Sequence, residues 1–272
     1  MGVPPLGALD AFAKFASAKA WGPDQTGKVA FGGRVVLDGL IAGFRAHPAA
    51  VARRFSARAE AYPLVLGCVP WLDSPDVVDA ILAIGSCCVI VDKGIRNHDQ
   101  CERLLANAEG VPMKLLRELA TWGPPENGRR PVIGPPGLED RDLEPVRVAG
   151  WKLAKNTPLL HAKLAVCCAA WRWENDFGGW DDLLTPISVW LGSANWTQYS
   201  RSHLEVGLWS SDQSLMEAAV EFIMAVVKIS EPFGAGPGGP QPQFVEGEWD
   251  DAAMAEALSA LTDFDLGDSD EA

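Results

Sequence analysis

The sequence predicts an α/β fold in which a mixed, largely parallel sheet is flanked by helices and preceded by a helical N-terminal extension. Three observations carry that prediction. Apolar, β-compatible runs at 62–69 and 87–91 alternate with amphipathic helical segments, an order that builds right-handed crossovers and a sheet buried on both faces. Further apolar runs at 158–170, 189–191 and 204–209 supply three more strands downstream. Hydrophobic residues make up 48% of the 272, enough for one substantial domain with additions.

In chain order, residues 1–60 read as the helical extension. Leu6, Leu9, Phe12 and Ala13 make one apolar face, residues 35–44 a second, and Pro48 opens a third helix with Val51, Phe55 and Ala59. The stretch 27–33 holds Gly27, Gly32, Gly33 and Lys28 without the spacing of a phosphate loop, so it reads as a plain turn. Residues 61–233 then form the main domain. Asp73-Ser74-Pro75 is helix-start chemistry ahead of Val77, Val78, Ile81 and Leu82, and Asn97 with Gln100 reads as a capping pair for a helix through Ala108. Residues 113–119 read as helix. The Pro, Gly and charge of 123–145 predict a long surface loop, with Arg129 and Arg130 as a solvated pair within reach of substrate phosphates. After Asp212, the spacing of Leu215, Met216, Ala219, Val220, Ile223 and Val226 predicts a helix to Lys228. Residues 234–272 are a Gly/Pro linker and an acidic tail in which Trp249, Met254, Leu258, Leu261 and Phe264 recur at near-helical spacing.

Composition narrows the function classes. No run approaches the roughly 20 apolar residues of a membrane span, and Asp10, Lys14 and Lys19 interrupt what would be a signal peptide. The six cysteines include the adjacent pairs Cys87-Cys88 and Cys167-Cys168 and no Cys-x-x-Cys, which reads as reduced, buried thiols in a cytoplasmic protein and not as a zinc site. Net charge is −13, yet residues 234–272 hold ten acidic residues and no lysine or arginine, leaving 26 acidic against 23 basic, or −3, for residues 1–233. Residues 145–173 carry Arg147, Lys152, Lys155, Lys163 and Arg172 and no acid, a locally positive stretch compatible with a nucleic-acid partner.

The chemistry gathers between His161 and Glu205. On a strand at 158–170, His161 and Lys163 are two apart and share a face, and both are costly to bury without an anion or a wet cleft. The run 189–191 ends in Gly192-Ser193-Ala194-Asn195, where the same spacing aims Ser193 and Asn195 together and Gly192 admits a close backbone. The third run brings Glu205 and His203. Imidazole, ammonium, hydroxyl, amide and carboxylate converging from three strands make an anion site with a nucleophile in it. Seven of eleven tryptophans fall between Trp151 and Trp209; most read as core, while Trp171, Trp173 and Trp180, in or beside a polar insertion at 172–186, are the ones that could stack bases or line a groove.

This order resembles the signature of the phospholipase D superfamily: His-x-Lys, four residues, Asp, a spacer, then Gly-Ser-x-Asn and a downstream Glu. The resemblance covers 62–233 in outline and is specific from His161 to Glu205. Two departures stand out. Cys168 stands at the Asp position, and the spacer before Gly192 holds twenty-three residues, which implies a loop insertion. The resemblance implies a phospholipase D-like fold and a phosphodiesterase that uses no metal and no cofactor. His161 would form a phosphohistidine, Lys163, Ser193 and Asn195 would hold non-bridging oxygens, and Glu205 would hydrogen-bond an imidazole. A second histidine must serve the leaving oxygen; single-motif members supply it by homodimerising, and His203 is the in-chain alternative. The implied activity is a nuclease cleaving DNA or RNA, of a type found in bacterial antiviral defence or restriction. A lipid phosphodiesterase and a non-catalytic nucleic-acid-binding or scaffold subunit are the rivals; no membrane-binding face is evident. For the acidic tail, a protein partner's groove, the dimer's own cleft and a solvated end stay open.

Overall fold

The computed structural model describes residues 29–58, 60–95, 98–119, 121–124, 129, 132–133, 141–150, 160–174, 179–235, 242–252, 255–256 and 259. In chain order its main elements are β1 (Val29–Phe31), α1 (Gly33–Arg54), β2 (Tyr62–Val69), α2 (Pro75–Leu82), β3 (Ser86–Asp92), α3 (Asp99–Asn107), β4 (Val146–Ala149), β5 (Leu164–Glu174), β6 (Trp180–Gly192), β7 (Val206–Ser210), α4 (Gln213–Lys228) and β8 (Glu231–Pro232). The eight strands form one sheet in the order β1-β7-β6-β5-β2-β3-β4-β8. The sheet is mixed, as expected, but parallel pairing is confined to β2–β3 and β3–β4. The other neighbours, above all the β5–β6 hairpin, pair antiparallel.

Alternation along the central strands divides the core into two layers. Val65, Cys87, Val89, Val91, Ala165 and Cys167 face α1, α2 and α3, whose Val36, Leu40, Phe44, Val78, Ile81 and Leu104 are buried with them. Leu64, Leu66, Cys88, Ile90, Val166 and Cys168 face the other way, onto Met216, Ile223 and Val227 of α4. The capping chemistry is mixed. Pro75 opens α2 and the Asp212 carboxylate accepts the Leu215 amide at 2.9 Å to start α4. α3 starts from His98, without a side-chain cap bond, and Asn97 lies outside the described residues.

Several expectations are corrected. Val29–Phe31, read as a turn, is an edge strand on β7, and α1 runs unbroken through Pro48 instead of dividing into two helices. The described part of residues 1–60 packs into the sheet and its core, and the helix expected before it lies outside the described residues. By length and composition α1 is apolar enough to cross a membrane, although Arg34, Asp38, Arg45 and His47 break its run. Here its apolar side is the inner layer against the sheet. The segment 113–119 forms two 3-10 turns, Met113–Leu115 and Arg117–Leu119. Within the expected loop 123–145, Leu143 is fully buried and pairs with Val111.

The insertion before Gly192 is the largest difference. It is no loop: β5 and β6 extend into a long hairpin, paired from Leu164↔Leu191 to Trp180↔Glu174, with an irregularity between Pro186 and Ser188. The tail is not wholly tethered free either. Phe244 is buried, Val245–Glu246 pairs with Trp122–Gly123, and Glu248–Trp249 pairs with Val132–Ile133. The apolar stripe beyond it, including Met254, Leu258, Leu261 and Phe264, lies outside the described residues.

Candidate active site

β5 begins, β6 ends and β7 begins at the same edge of the sheet, where β2 and β3 also reach their C-terminal ends. Crevices at the carboxyl ends of parallel strands are where open α/β sheets bind ligands. The predicted residues sit there. The Gly192 amide donates to the Lys163 carbonyl at 3.1 Å and the Ser193 amide to the Val206 carbonyl at 2.8 Å, so the three chain segments are stitched together at the site. A side chain at Gly192 would come within 3.1 Å of the Val206 carbonyl, which is the close approach its glycine allows.

Lys163 precedes the strand instead of lying in it, and its side chain is buried. Its ammonium donates to the His161 carbonyl at 2.9 Å. Burial holds its pKa below the usual lysine value, and the nearby Glu205 carboxylate acts in the opposite direction. Ser193 Oγ donates to Glu205 Oε2 and accepts the Val206 amide at 3.0 Å. The other carboxylate oxygen lies 3.7 Å from His203 Nδ1. Glu205 thus faces Ser193 and His203, and the His203 ring lies beyond bonding distance. Asn195 sits between the buried Ala194 and Trp196, and its Oδ1 is buried without a partner. His161 is exposed, and its ring has no hydrogen-bond partner among the described residues.

Four supports escaped the sequence reading. The Gly33 amide donates to the His203 carbonyl and the Gly32 amide to the Glu205 carbonyl, both at 2.8 Å, so the start of α1 holds the segment bearing both side chains. A side chain at Gly33 would lie 1.7 Å from the Ser200 carbonyl, and that Gly-Gly pair before an apolar helix was the available signal. The buried Asp92 carboxylate, at the end of β3, accepts the Leu160 amide at 3.2 Å and so fixes the chain entering His161. Trp196 latches the loop after Asn195: its amide donates to the Trp71 carbonyl, and its own carbonyl accepts Asp73 and Ser74, each at 3.1 Å.

The structure separates other candidates from the site. Cys168 is fully buried beneath α4, and burial raises its thiol well above the usual range, so no anion stands at the Asp position of the signature. Its carbonyl instead accepts His47 Nε2 at 2.8 Å. Trp171 and Trp173 lie at the far end of the hairpin, with the Arg58 guanidinium 4.6 and 4.5 Å from their ring centres, and Trp180 stands exposed nearby. A cavity of about 440 Å³ lined by Leu115, Trp171, Leu184, Val220 and Met224 is also remote from the candidate residues. All six cysteines are buried and unpaired by disulfides. Among the described residues, no three His, Cys, Asp or Glu side chains converge as a metal set. Of the arginine pair, Arg129 is exposed and Arg130 lies outside the described residues.

No family model matches the sequence, and no curated protein matches it. Among solved structures the chain is similar to NucT from Helicobacter pylori, at 15% identity over 76% of this chain and 99% of that one, with a TM-score of 0.44. It is also similar to Nuc from Salmonella typhimurium, a phospholipase D family member, at 14% identity over 76% and 97%, with a TM-score of 0.38. TrmBL2, an archaeal chromatin protein with a novel mode of DNA binding, matches at 12% identity over 83% and 60%, with a TM-score of 0.30.

Proposed function

We propose that this chain is a phosphodiesterase of the phospholipase D type, a nuclease that works through a phosphohistidine on His161 in a homodimeric site. The observation that carries the reading is the gathering of Lys163, Ser193, Asn195 and Glu205, with His161, at one edge of three adjoining strands. In this scheme a nitrogen lone pair of His161 attacks phosphorus and the bond to the leaving oxygen breaks. That oxygen takes a proton from a second imidazole. A water then gives its proton to the same imidazole, and its oxygen displaces the His161 nitrogen. Lys163, the Ser193 hydroxyl and the Asn195 amide (whose NH₂ takes the place of Oδ1 when the group turns over) hold the non-bridging oxygens as charge grows on them.

The second imidazole is His161 of a second copy. Supporting that choice, Val29, Phe31, Leu204 and Val206 are exposed beside the site, and Phe31 pairs directly with Val206, so their side chains share one apolar sheet face. Covering that face with its two-fold mate would bring two sites together.

The test is hydrolysis of bis(p-nitrophenyl) phosphate and of single- and double-stranded DNA and RNA in excess EDTA. Wild type is expected to cleave at least one of them under chelation. His161→Ala should lose at least about 10³-fold in rate while keeping its melting temperature, because the ring is exposed. Cleavage that vanishes with EDTA and returns with magnesium, or an active His161→Ala, would reject the scheme.

A further inference from the structure

Two aromatic side chains on the loops that build the site are held out into solvent. Trp71 is 54% exposed and Tyr199 is 73% exposed. Neither lies on a loose segment. Trp71 follows β2, its carbonyl accepts the Trp196 amide at 3.1 Å, and the next residue, Leu72, is fully buried and bridges to Trp196. That places its backbone beside Asn195. Tyr199 sits in the 3-10 turn Gln198–Ser202, which the Thr197 side chain caps through the Ser200 amide at 3.3 Å. Its ring meets the His203 ring edge-on, with centroids 4.4 Å apart, and His203 in turn faces Glu205. Thr197 and Ser200 on either side are buried. The scaffold is packed, and both aromatic side chains are exposed.

We infer that Trp71 and Tyr199 are stacking platforms for the bases of a single-stranded nucleic acid on either side of the scissile phosphate. The inference rests on the phosphodiesterase reading above and names its substrate class. Two large aromatic rings held in solvent on packed loops joined to Asn195 and His203 offer flat faces to a ligand at the site. Bases of a single strand present matching faces, whereas bases in a duplex hide them in the stack. The local charge agrees with stacking as the main source of affinity. Arg201, on the same turn as Tyr199, is engaged by Asp38 and by Asp76 at 3.1 Å, so it is not available as a phosphate clamp. The sugar-phosphate is left to Lys163, Ser193 and Asn195.

The test uses the full chain carrying His161→Ala, which binds without cutting, and fluorescence anisotropy at constant low salt. The probe is a labelled single strand of about 12 nucleotides, compared with its duplex. Trp71→Ala and Tyr199→Ala should each weaken single-strand binding roughly 5- to 100-fold, Trp71→Phe and Tyr199→Phe should stay within about threefold of the parent, and the duplex should bind at least about tenfold more weakly. Alanine variants that bind like the parent, or a duplex bound as tightly as the single strand, would overturn the inference. Hydrolysis of bis(p-nitrophenyl) phosphate by wild type separates the two claims. Hydrolysis without aromatic-dependent binding removes the stacking alone, and aromatic-dependent binding without hydrolysis removes the catalytic reading alone.

Discussion

At the scale of single residues, Lys163 is the group whose surroundings say most about its work. The residue is buried, with its ammonium bonded to a backbone carbonyl and close enough to Glu205 for that carboxylate to offset part of the desolvation. Burial wins, so the folded pKa lies below the usual 10.5 and the charge is lost at lower pH than on a free lysine. A phosphate ligand is useful only while charged. We therefore expect kcat/KM to fall on the alkaline side before pH 10.5, and the limb to disappear in Lys163→Arg, whose charge persists throughout. Lys163→Ala should lower kcat about 10²- to 10³-fold, as removal of one transition-state ligand does elsewhere. A pH–rate profile of the three proteins checks this, and an identical alkaline limb in Lys163→Arg would assign the titration to another group. His161, Lys163, Ser193, Asn195 and Glu205 are singled out by two-residue spacing on strands and by the order of the signature, yet His161 and Lys163 precede β5 and Ser193 and Asn195 follow β6, so strand alternation does not govern how their side chains point. What Glu205 touches is not legible at all: its hydrogen bond from Ser193 depends on the register of β6 against β7, which spacing leaves open.

At the scale of elements, α1 shows why the rest of the fold was harder to read. Its apolar period was visible, but its partners are the sheet beneath it and, more than a hundred residues away in sequence, the His203–Glu205 segment whose carbonyls accept the Gly33 and Gly32 amides. Val29–Phe31 offers three residues and two glycines on its far side, too short for a periodic signal, and becomes a strand only because β7 presents an open edge. The long hairpin was misread for a related reason. Trp171, Arg172, Trp173 and Glu174 look like a polar insertion until cross-strand neighbours such as Asp182, bonded to Arg172 at 2.9 Å, are known. One buried contact of α1 carries a measurable consequence. His47 is fully buried, with Nε2 on the Cys168 carbonyl and Nδ1 unpartnered, and burial lowers its pKa from 6.5 to about 4. The unfolded chain therefore binds a proton between those values that the folded chain refuses. Stability from this group is complete above pH 6.5 and falls as pH drops through 4, by roughly 3 kcal/mol in all. Chemical denaturation between pH 7 and 4 should show that loss. In His47→Gln, which keeps a donor for the carbonyl and does not titrate, the slope over this window should flatten; an unchanged slope would place the acid sensitivity elsewhere.

At the scale of the whole molecule, charge and apolar surface are distributed unevenly around one edge of the sheet. Net charge is −13, but ten of the acids lie in residues 234–272, where Phe244 anchors the start of the segment against the core near Arg147. Around the site the conspicuous surface is apolar instead: Val29 and Phe31 on β1, with Leu204 and Val206 next to Ser193 and Glu205. One chain carries a single His161–Lys163 pair, while the proposed chemistry needs two imidazoles on opposite sides of phosphorus. A two-fold dimer through this face satisfies both facts with one interface. Mixing supplies the decisive measurement. If each site needs His161 from both copies, a tenfold excess of His161→Ala chains, after demonstrated subunit exchange, should cut activity per wild-type chain to about a tenth, since random pairing leaves few wild-type pairs. Sites complete within one chain would keep full activity under the same dilution and would promote His203, already 3.7 Å from Glu205, to the second imidazole. Val29→Asp, on the exposed face of the edge strand, should shift wild type toward monomer in sedimentation and lower activity in proportion to the dimer lost. A Val29→Asp monomer that stays fully active would place the interface outside the catalytic mechanism.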